Sequence, residues 1–387
     1  MKPLCLMVVA GEDSGDLLGA DLIAALRVRL GERVRFVGIG GPRMAALGVQ
    51  SPVDIRGLSV LGVFNALAVY PRVRRAVRAA AALARRERPE AAILIDSWGF
   101  TLRVARALRR GQPDMVLIKY VAPQVWATRP GRARVLAGAV DHLLTVHAFD
   151  APLFEAHGLP TTFVGHPVMA RDFSHANAAR LRDKIGVGAG DQTLLVLPGS
   201  RRGEVSRLMP AFGAACSRLI KGRPGLKVVV AAAASVAADV RSRVAAWPFA
   251  AIVIEGDADR GDAMQAATAA MACSGTVTTE LALAGCPMVV AYRLDPLTAL
   301  VARRLIRTRY ITLFNVAADA FAAPELVQEA CSGASLATEI GRLLDEPNTR
   351  ARRIADQTAA VNLMRGGVAD PTAAAVEAIV GLLGGRT

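Results

Sequence analysis

Four short segments gather the residues of this chain that could do chemistry, and each stands where an apolar run passes into a helical pattern. In 95–100, Ile-Asp-Ser-Trp-Gly-Phe, Asp96 is a carboxylate at the end of an expected strand, able to act as general base on a bound hydroxyl. It could equally cap the helix TLRVARALRR that follows, a place Asp fills well. In 197–204, Leu-Pro-Gly-Ser-Arg-Arg-Gly-Glu, the glycines and Ser200 make a turn whose backbone N–H groups can face an anion, and the Arg201 guanidinium can grip a phosphate with two hydrogen bonds. A solvated turn carrying two arginines is the plain alternative. In 273–280, Cys-Ser-Gly-Thr-Val-Thr-Thr-Glu, the residues Ser274, Gly275 and Thr276 present hydroxyls and free N–H groups at a helix N-terminus, which suits a diphosphate. Glu280, one turn further in, could accept hydrogen bonds from a ribose. In 10–16, Ala-Gly-Glu-Asp-Ser-Gly-Asp, the glycines Gly11 and Gly15 allow close backbone approach, and Ser14 and Asp16 are good N-caps. This last loop is not GxGxxG, so a nicotinamide dinucleotide is not expected, and an ordinary strand-to-helix turn is its plain alternative. Two anion-type loops in one half of the chain make a nucleoside diphosphate the leading ligand.

Such loops need strands to hold them. Apolar runs at 4–10, 34–39, 92–95, 115–121, 143–146 and 162–164 alternate with helical patterns, which implies parallel βαβ units. The polar, aperiodic stretch 168–178 is expected to be a linker, after which runs at 193–197, 227–232, 251–254, 270–273 and 287–291 restart the alternation. The expected fold is α/β: a doubly wound domain over 1–167, a second over 179–345 with a cleft between them, and C-terminal helices over 346–387. Helical patterns at 336–344, 349–363 and 371–383 bring no new strand. In parallel sheets ligands bind beyond the carboxyl ends of the strands, where all four segments fall.

The 387 residues, 53% hydrophobic and 21% charged, have a folded composition, and the length suits two domains. The longest uncharged runs, 57–71 and 263–279, fall short of the ~20 apolar residues of a spanning helix. The N-terminus reads as a first strand of a cytoplasmic protein rather than as a signal peptide. Five scattered cysteines look like reduced core residues, and five dispersed histidines, with no D-x-D cluster in the four chemistry-bearing loops, give no metal site there. His166 could line a ligand pocket or be a satisfied structural histidine. The formal charge of +14 favours a polyanionic partner, whether nucleic acid, lipid headgroups or a phosphorylated substrate, unless it only reflects an Ala- and Arg-rich composition. Aromatics at 5% leave little for a single-strand stacking platform, and no recognition helix is visible, so nucleic acid is the weaker choice.

The ordered set AGEDSGDLLGADLI, FVGIGGPRM, LIDSWGF, YVAPQVWA, FVGHP, LPGSRRGEV, SGTVTTELALAGCPMVVAYR, RYITLFN and PELVQEAC resembles the lipid-A-disaccharide synthase family, in unbroken order between residues 4 and 345. The resemblance implies an inverting GT-B glycosyltransferase: two Rossmann-like domains across a cleft, no cofactor and no metal. It implies transfer of 2,3-diacylglucosamine from its UDP donor to 2,3-diacylglucosamine 1-phosphate, giving a β-1,6-linked disaccharide 1-phosphate and UDP in lipid A biosynthesis. Carried over by residue, Asp96 would be the catalytic carboxylate. Arg201 would lie against the diphosphate with Ser274, Gly275 and Thr276, Glu280 would hold the ribose, and Asn315 would reach the donor. Glu12, Ser14 and Gly15 would flank the acceptor. Acylated substrates imply peripheral contact with the anionic inner face of the cytoplasmic membrane. The apolar stretch holding Val60, Leu61, Val63 and Phe64, beside arginines 72, 74, 75, 78, 85, 86 and 88, would make that contact. A core helix with a basic outer face is the alternative there. The resemblance also leaves room for a homodimer and implies no nucleic-acid partner. Many members have Pro-Asp-Phe where this chain has Trp98-Gly99-Phe100, so Asp96 lacks a carboxylate neighbour. Asp13 stands where Ala is frequent, and Ala122 where Ser is. A UDP-sugar epimerase of the same two-domain architecture is the rival function.

Overall fold

The structure, a computed structural model, describes residues 3–55, 58, 63–188, 190–295, 298–300, 306 and 308–384, the side chains of 63–69 excepted. Each expected apolar run carries a strand. Strands β1 (Leu4–Ala10), β2 (Val34–Ile39), β3 (Ala91–Ile95), β4 (Val116–Tyr120), β5 (His142–Thr145) and β6 (Thr161–Phe163) form one sheet, in the order β2-β1-β3-β4-β5-β6. Strands β7 (Thr193–Leu197), β8 (Lys227–Ala232), β9 (Ile252–Glu255), β10 (Ala269–Cys273), β11 (Met288–Tyr292) and β12 (Glu325–Val327) form the other, in the order β12-β11-β10-β7-β8-β9. The paired strands are parallel. Helices cover both faces, which is why the central strands read as unbroken apolar runs rather than alternating ones. Strand β12 was not foreseen. Its three half-buried residues are too few to show a period.

The chain divides into two compact units, 1–169 with 368–387 and 170–367. The first has a core on each face of its sheet, and the second has a core built around β7, β8 and β10. The C-terminal helices expected over 346–387 are therefore split. Gly366 and Gly367, both at positive φ, end the helix Pro347–Arg365 in the second unit. The last helix, Pro371–Gly384, packs Ala375, Val376, Ile379 and Leu383 into the core shared with Leu22, Ile23 and Leu26 of the helix Asp13–Leu30. Within the expected linker the division falls after Met169. The later part is already tied to the second unit, because the buried Asp262 carboxylate accepts from Asn177 N–H at 2.8 Å and from Arg180 Nε at 2.5 Å.

Strand order fixes where chemistry can sit. In the first sheet the chain runs outward from β1 to β2 and then returns to β3 on the other side of β1. In the second it runs from β7 out to β8 and β9, then returns to β10 beside β7. Neighbouring helices leave in opposite directions at such a switch point, and the diverging loops open a crevice there. The four chemistry-bearing segments are the two pairs of loops at these switch points. Register brings each pair level, with Ala10 beside Ile95 and Leu197 beside Ala272.

Candidate functional site

In the first unit, β3 hands over to the helix Trp98–Gly111 through two residues, Asp96 and Ser97, both at φ 42°. Left-handed backbone at a non-glycine residue costs about 1–3 kcal/mol and persists only where surroundings impose it. Here they do. Asp96 N–H donates to the Tyr120 carbonyl at 2.9 Å, and the Asp96 carbonyl accepts from Thr101 Oγ1 at 2.7 Å and from Lys119 Nζ. Ser97, not Asp96, occupies the N-cap position, so the capping alternative for Asp96 falls away. Its half-buried side chain stands free of that duty at the carboxyl end of β3.

The loop after β1 lies against this turn. A Cβ on Gly11 would sit 2.8 Å from both Phe100 Cδ1 and Ser97 Oγ, so only glycine permits the approach. Gly15 is buried against Ala10 and Ile95, while Ser14 is exposed. The helix begins at Asp13 with Glu12 at its N-cap, which places Ser14 and Asp16 inside it, so neither caps it. The buried Asp16 carboxylate instead accepts from the N–H groups of Gly41, Arg43 and Met44 at 2.6, 2.9 and 3.2 Å, capping the short helix Pro42–Ala46.

Buried ionisable groups surround the carboxyl edge of this sheet, and of them only His166 was singled out from the sequence. Lys119 on β4 is lowered to about 7 by burial, against the attraction of Asp96 and Glu12. Burial lowers His147 to about 3 and His166 to about 4, and raises Asp150 to about 7. The His147 ring stacks between Phe149 and His166, with centroids 5.0 and 5.3 Å away. His166 Nδ1 accepts from Val168 N–H at 3.1 Å, giving it a structural task. A lysine inside the apolar run Val116–Tyr120 was the visible signal for Lys119.

In the second unit, the turn 197–204 already holds an anion of its own. The Glu204 carboxylate accepts from Ser200 and Arg201 N–H at 3.1 and 3.2 Å and pairs with Arg201 Nη1 at 3.0 Å. Gly199, at φ 104°, leaves room for it, since a Cβ there would meet Glu204 Oε2 at 2.5 Å. Of the N–H groups expected to face a ligand, that of Ser200 is thus taken, as is that of Arg201, while the exposed Arg201 guanidinium is aimed by Glu204. The Ser274 hydroxyl is also engaged, donating to the Ile311 carbonyl at 3.0 Å. Gly275 faces open space, and the helix Thr276–Leu283 starts immediately after it, with the N–H groups of Thr276 and Val277 beyond its ladder. Glu280 is buried, with Arg171 at 3.3 Å and Arg260 at 3.7 Å.

Asn315 does not reach outward. It is fully buried, its amide donates to Ala323 O at 2.9 Å and Glu325 Oε1 at 2.7 Å, and its oxygen accepts from Ala323 N–H at 3.1 Å. Glu325 also accepts from Ile311 and Thr312 N–H, each at 2.8 Å, so this pair fixes the loop that receives the Ser274 hydroxyl.

Val60 and Leu61 lie outside the described residues, as do the side chains of Val63 and Phe64 at the start of the helix Val63–Glu87. Further along, that helix buries Ala76, Ala80, Leu83 and Ala84 and exposes arginines 72, 74, 75, 78, 85 and 86, with Arg88 exposed just beyond it. Among the described residues no helix is long and apolar enough to cross a membrane, and no three His, Cys, Asp or Glu residues group as a metal site.

A family model described as lipid-A-disaccharide synthetase matches residues 6–379. A lipid-A-disaccharide synthase of Rhodospirillum centenum is 43% identical over 383 residues, covering 99% of this chain and 96% of that one. One of Paramagnetospirillum magneticum is 38% identical, covering 97% of each. Among solved structures, S. aureus MnaA with UDP aligns at a TM-score of 0.68 with 13% identity, covering 99% of this chain and 97% of that one. MurG of Acinetobacter baumannii aligns at 0.57 with 14% identity, covering 99% of this chain and all of that one. At these identities the structural likeness speaks for the fold, of GT-B type, and the sequence relatives speak for the family.

Proposed function

The chain belongs to the lipid-A-disaccharide synthase family, and from that premise we propose which residues carry the transfer. It is an inverting glycosyltransferase of lipid A disaccharide synthesis, working on a UDP-sugar donor and a sugar acceptor. The epimerase alternative rests on structural neighbours alone.

The donor is UDP-2,3-diacylglucosamine and the acceptor 2,3-diacylglucosamine 1-phosphate. Asp96 takes the proton from the acceptor 6-hydroxyl as that oxygen attacks the anomeric carbon. The bond from that carbon to the diphosphate breaks on the opposite face, which leaves a β-1,6 linkage. Charge on the departing UDP is met by the helix N-terminus at Thr276 and by Arg201, with Gly275 leaving room for the phosphates. Glu280, aimed by Arg171 and Arg260, accepts from the ribose hydroxyls. Glu12, Ser14 and Gly15 border the acceptor, and Ser274, Asn315 and Glu325 act through the loop they fix. The observation carrying this assignment is the backbone of Asp96, strained and held by three hydrogen bonds at a switch point, where strain of this kind is kept for function.

Acylated substrates place the work at the inner face of the cytoplasmic membrane. The exposed arginine face of the helix Val63–Glu87 supports this, being suited to anionic headgroups, with the apolar residues at the helix start entering the acyl boundary. The test of the catalytic assignment is Asp96→Asn. It should lower kcat by ~10²–10⁴ while UDP affinity stays near wild type. Undiminished turnover overturns it.

A further inference from the structure

We propose that Lys119 is a positioning residue for Asp96, fixing that residue's backbone and setting by its own charge how readily Asp96 accepts a proton, an assignment that rests on Asp96 being the base.

Strand β4 is buried along its whole length, and an amine in its interior is costly unless it is bonded and charge-compensated. Leu117, two residues earlier on the same face, packs in the core with Phe100 and Val104 of the helix Trp98–Gly111. Lys119 reaches toward that helix too, but at its first turn. Its Nζ donates to the Asp96 carbonyl and, at 3.1 Å, to Thr101 Oγ1, which itself donates to the Asp96 carbonyl at 2.7 Å. Two buried side chains from different elements thus converge on one carbonyl, that of a residue at φ 42°.

The charged groups facing the amine are Asp96 from the end of β3 and Glu12 from the loop after β1. Thr101 faces it from the helix, and its register partner on β5 is the uncharged Leu143. Two acceptors are as many as a neutral amine can serve, so the hydrogen bonds survive loss of its proton. Only the charge changes. As an ammonium, Lys119 attracts the Asp96 carboxylate; as an amine it withdraws that attraction, and the carboxylate is freer to receive the acceptor proton. Burial brings this titration down to about 7, so the change falls in the neutral range.

The experiment is the pH profile of kcat at saturating substrates from pH 6 to 8.5, for the wild type, Lys119→Gln and Lys119→Arg. The wild type should rise between pH 6 and 8, by up to the ~10-fold increase in the amine fraction of a group titrating near 7. Lys119→Gln, neutral and still a donor, should be flat within ~2-fold near the wild-type upper level, and Lys119→Arg, always charged, flat near the lower one. A wild-type midpoint kept in either variant, even at uniformly reduced activity, marks a merely structural lysine and overturns the proposal. So does a wild-type profile with no rise. Should a variant fail to fold, NMR of the wild type labelled at lysine Cε decides, since the chain has only five lysines. One resonance titrating near 7 supports the proposal, and all five titrating above 9 overturn it. Asp96→Asn separates the two layers: activity retained there removes the base itself, whereas activity lost there with unaltered Lys119 profiles removes only the role of Lys119.

Discussion

Replacing Asp150 by Asn should stabilise the first unit, and by more at high pH than at low. The carboxyl follows the turn after β5, is 2% exposed, and its Oδ1 has no hydrogen-bond partner. Burial alone raises it from 3.8 to about 7. Between those values the folded protein holds a proton that the unfolded chain has released, so stability falls as pH rises from about 4 to about 7 and levels off above. The penalty works out at about 2 kcal/mol at pH 5 and about 4 kcal/mol at pH 8. An amide of the same shape never ionises, so its gain over wild type should be about 2–3 kcal/mol larger at pH 8 than at pH 5. His147 and His166, held low by burial, weaken both proteins alike as pH falls below 6.5, and cancel in the comparison. Urea unfolding at the two pH values, followed by tryptophan fluorescence, reads the difference, because Trp126 sits edge-on to Phe149, 5.5 Å away beside the same turn. An equal effect at both pH values would refute a buried carboxyl titrating near neutrality.

Glu204→Gln should cost about 1–3 kcal/mol of stability and weaken UDP binding, because the Ser200 and Arg201 N–H groups and the Arg201 guanidinium lose their shared carboxylate. Calorimetric titration with UDP checks this, and unchanged affinity would show that the aim of Arg201 does not matter. Glu280→Gln should weaken UDP ~10-fold or more through loss of charged hydrogen bonds to ribose, yet leave 2′,3′-dideoxy-UDP nearly unaffected. Equal losses for the two nucleotides would remove the ribose contact. Val63→Ser combined with Phe64→Ser should lower binding to vesicles rich in anionic lipid while the far-UV circular dichroism stays unchanged; binding at wild-type strength would put the membrane contact elsewhere.

The strands were legible because a buried parallel strand writes itself as an uninterrupted apolar run, and the loops were legible because strand order forces chemistry to their carboxyl ends. What a side chain does in those loops depended on partners distant in sequence. Asp16 looked like a cap for its own helix and caps the one at Pro42, because the Gly41 backbone returns beside it. Asn315 looked like a ligand contact and is spent on Ala323 and Glu325. The turn 197–204 looked open to an anion, but its Ser200 and Arg201 N–H groups are filled by Glu204, whose spacing of three residues from Arg201 was the available clue. A helical stripe in 371–383 announced a buried face but not that the helix Asp13–Leu30 would cover it. Asp96 was legible as a carboxylate at a strand end, whereas its left-handed backbone and the bond from its carbonyl to Lys119 on β4 come only with the turn.

The most direct measurement is transfer itself: purified protein in detergent micelles with UDP-2,3-diacylglucosamine and 2,3-diacylglucosamine 1-phosphate, products followed by mass spectrometry. A disaccharide 1-phosphate should form in step with UDP, requiring both substrates and no added metal. Interconversion of the UDP-sugar without a disaccharide, or release of UDP with no acceptor consumed, would contradict it.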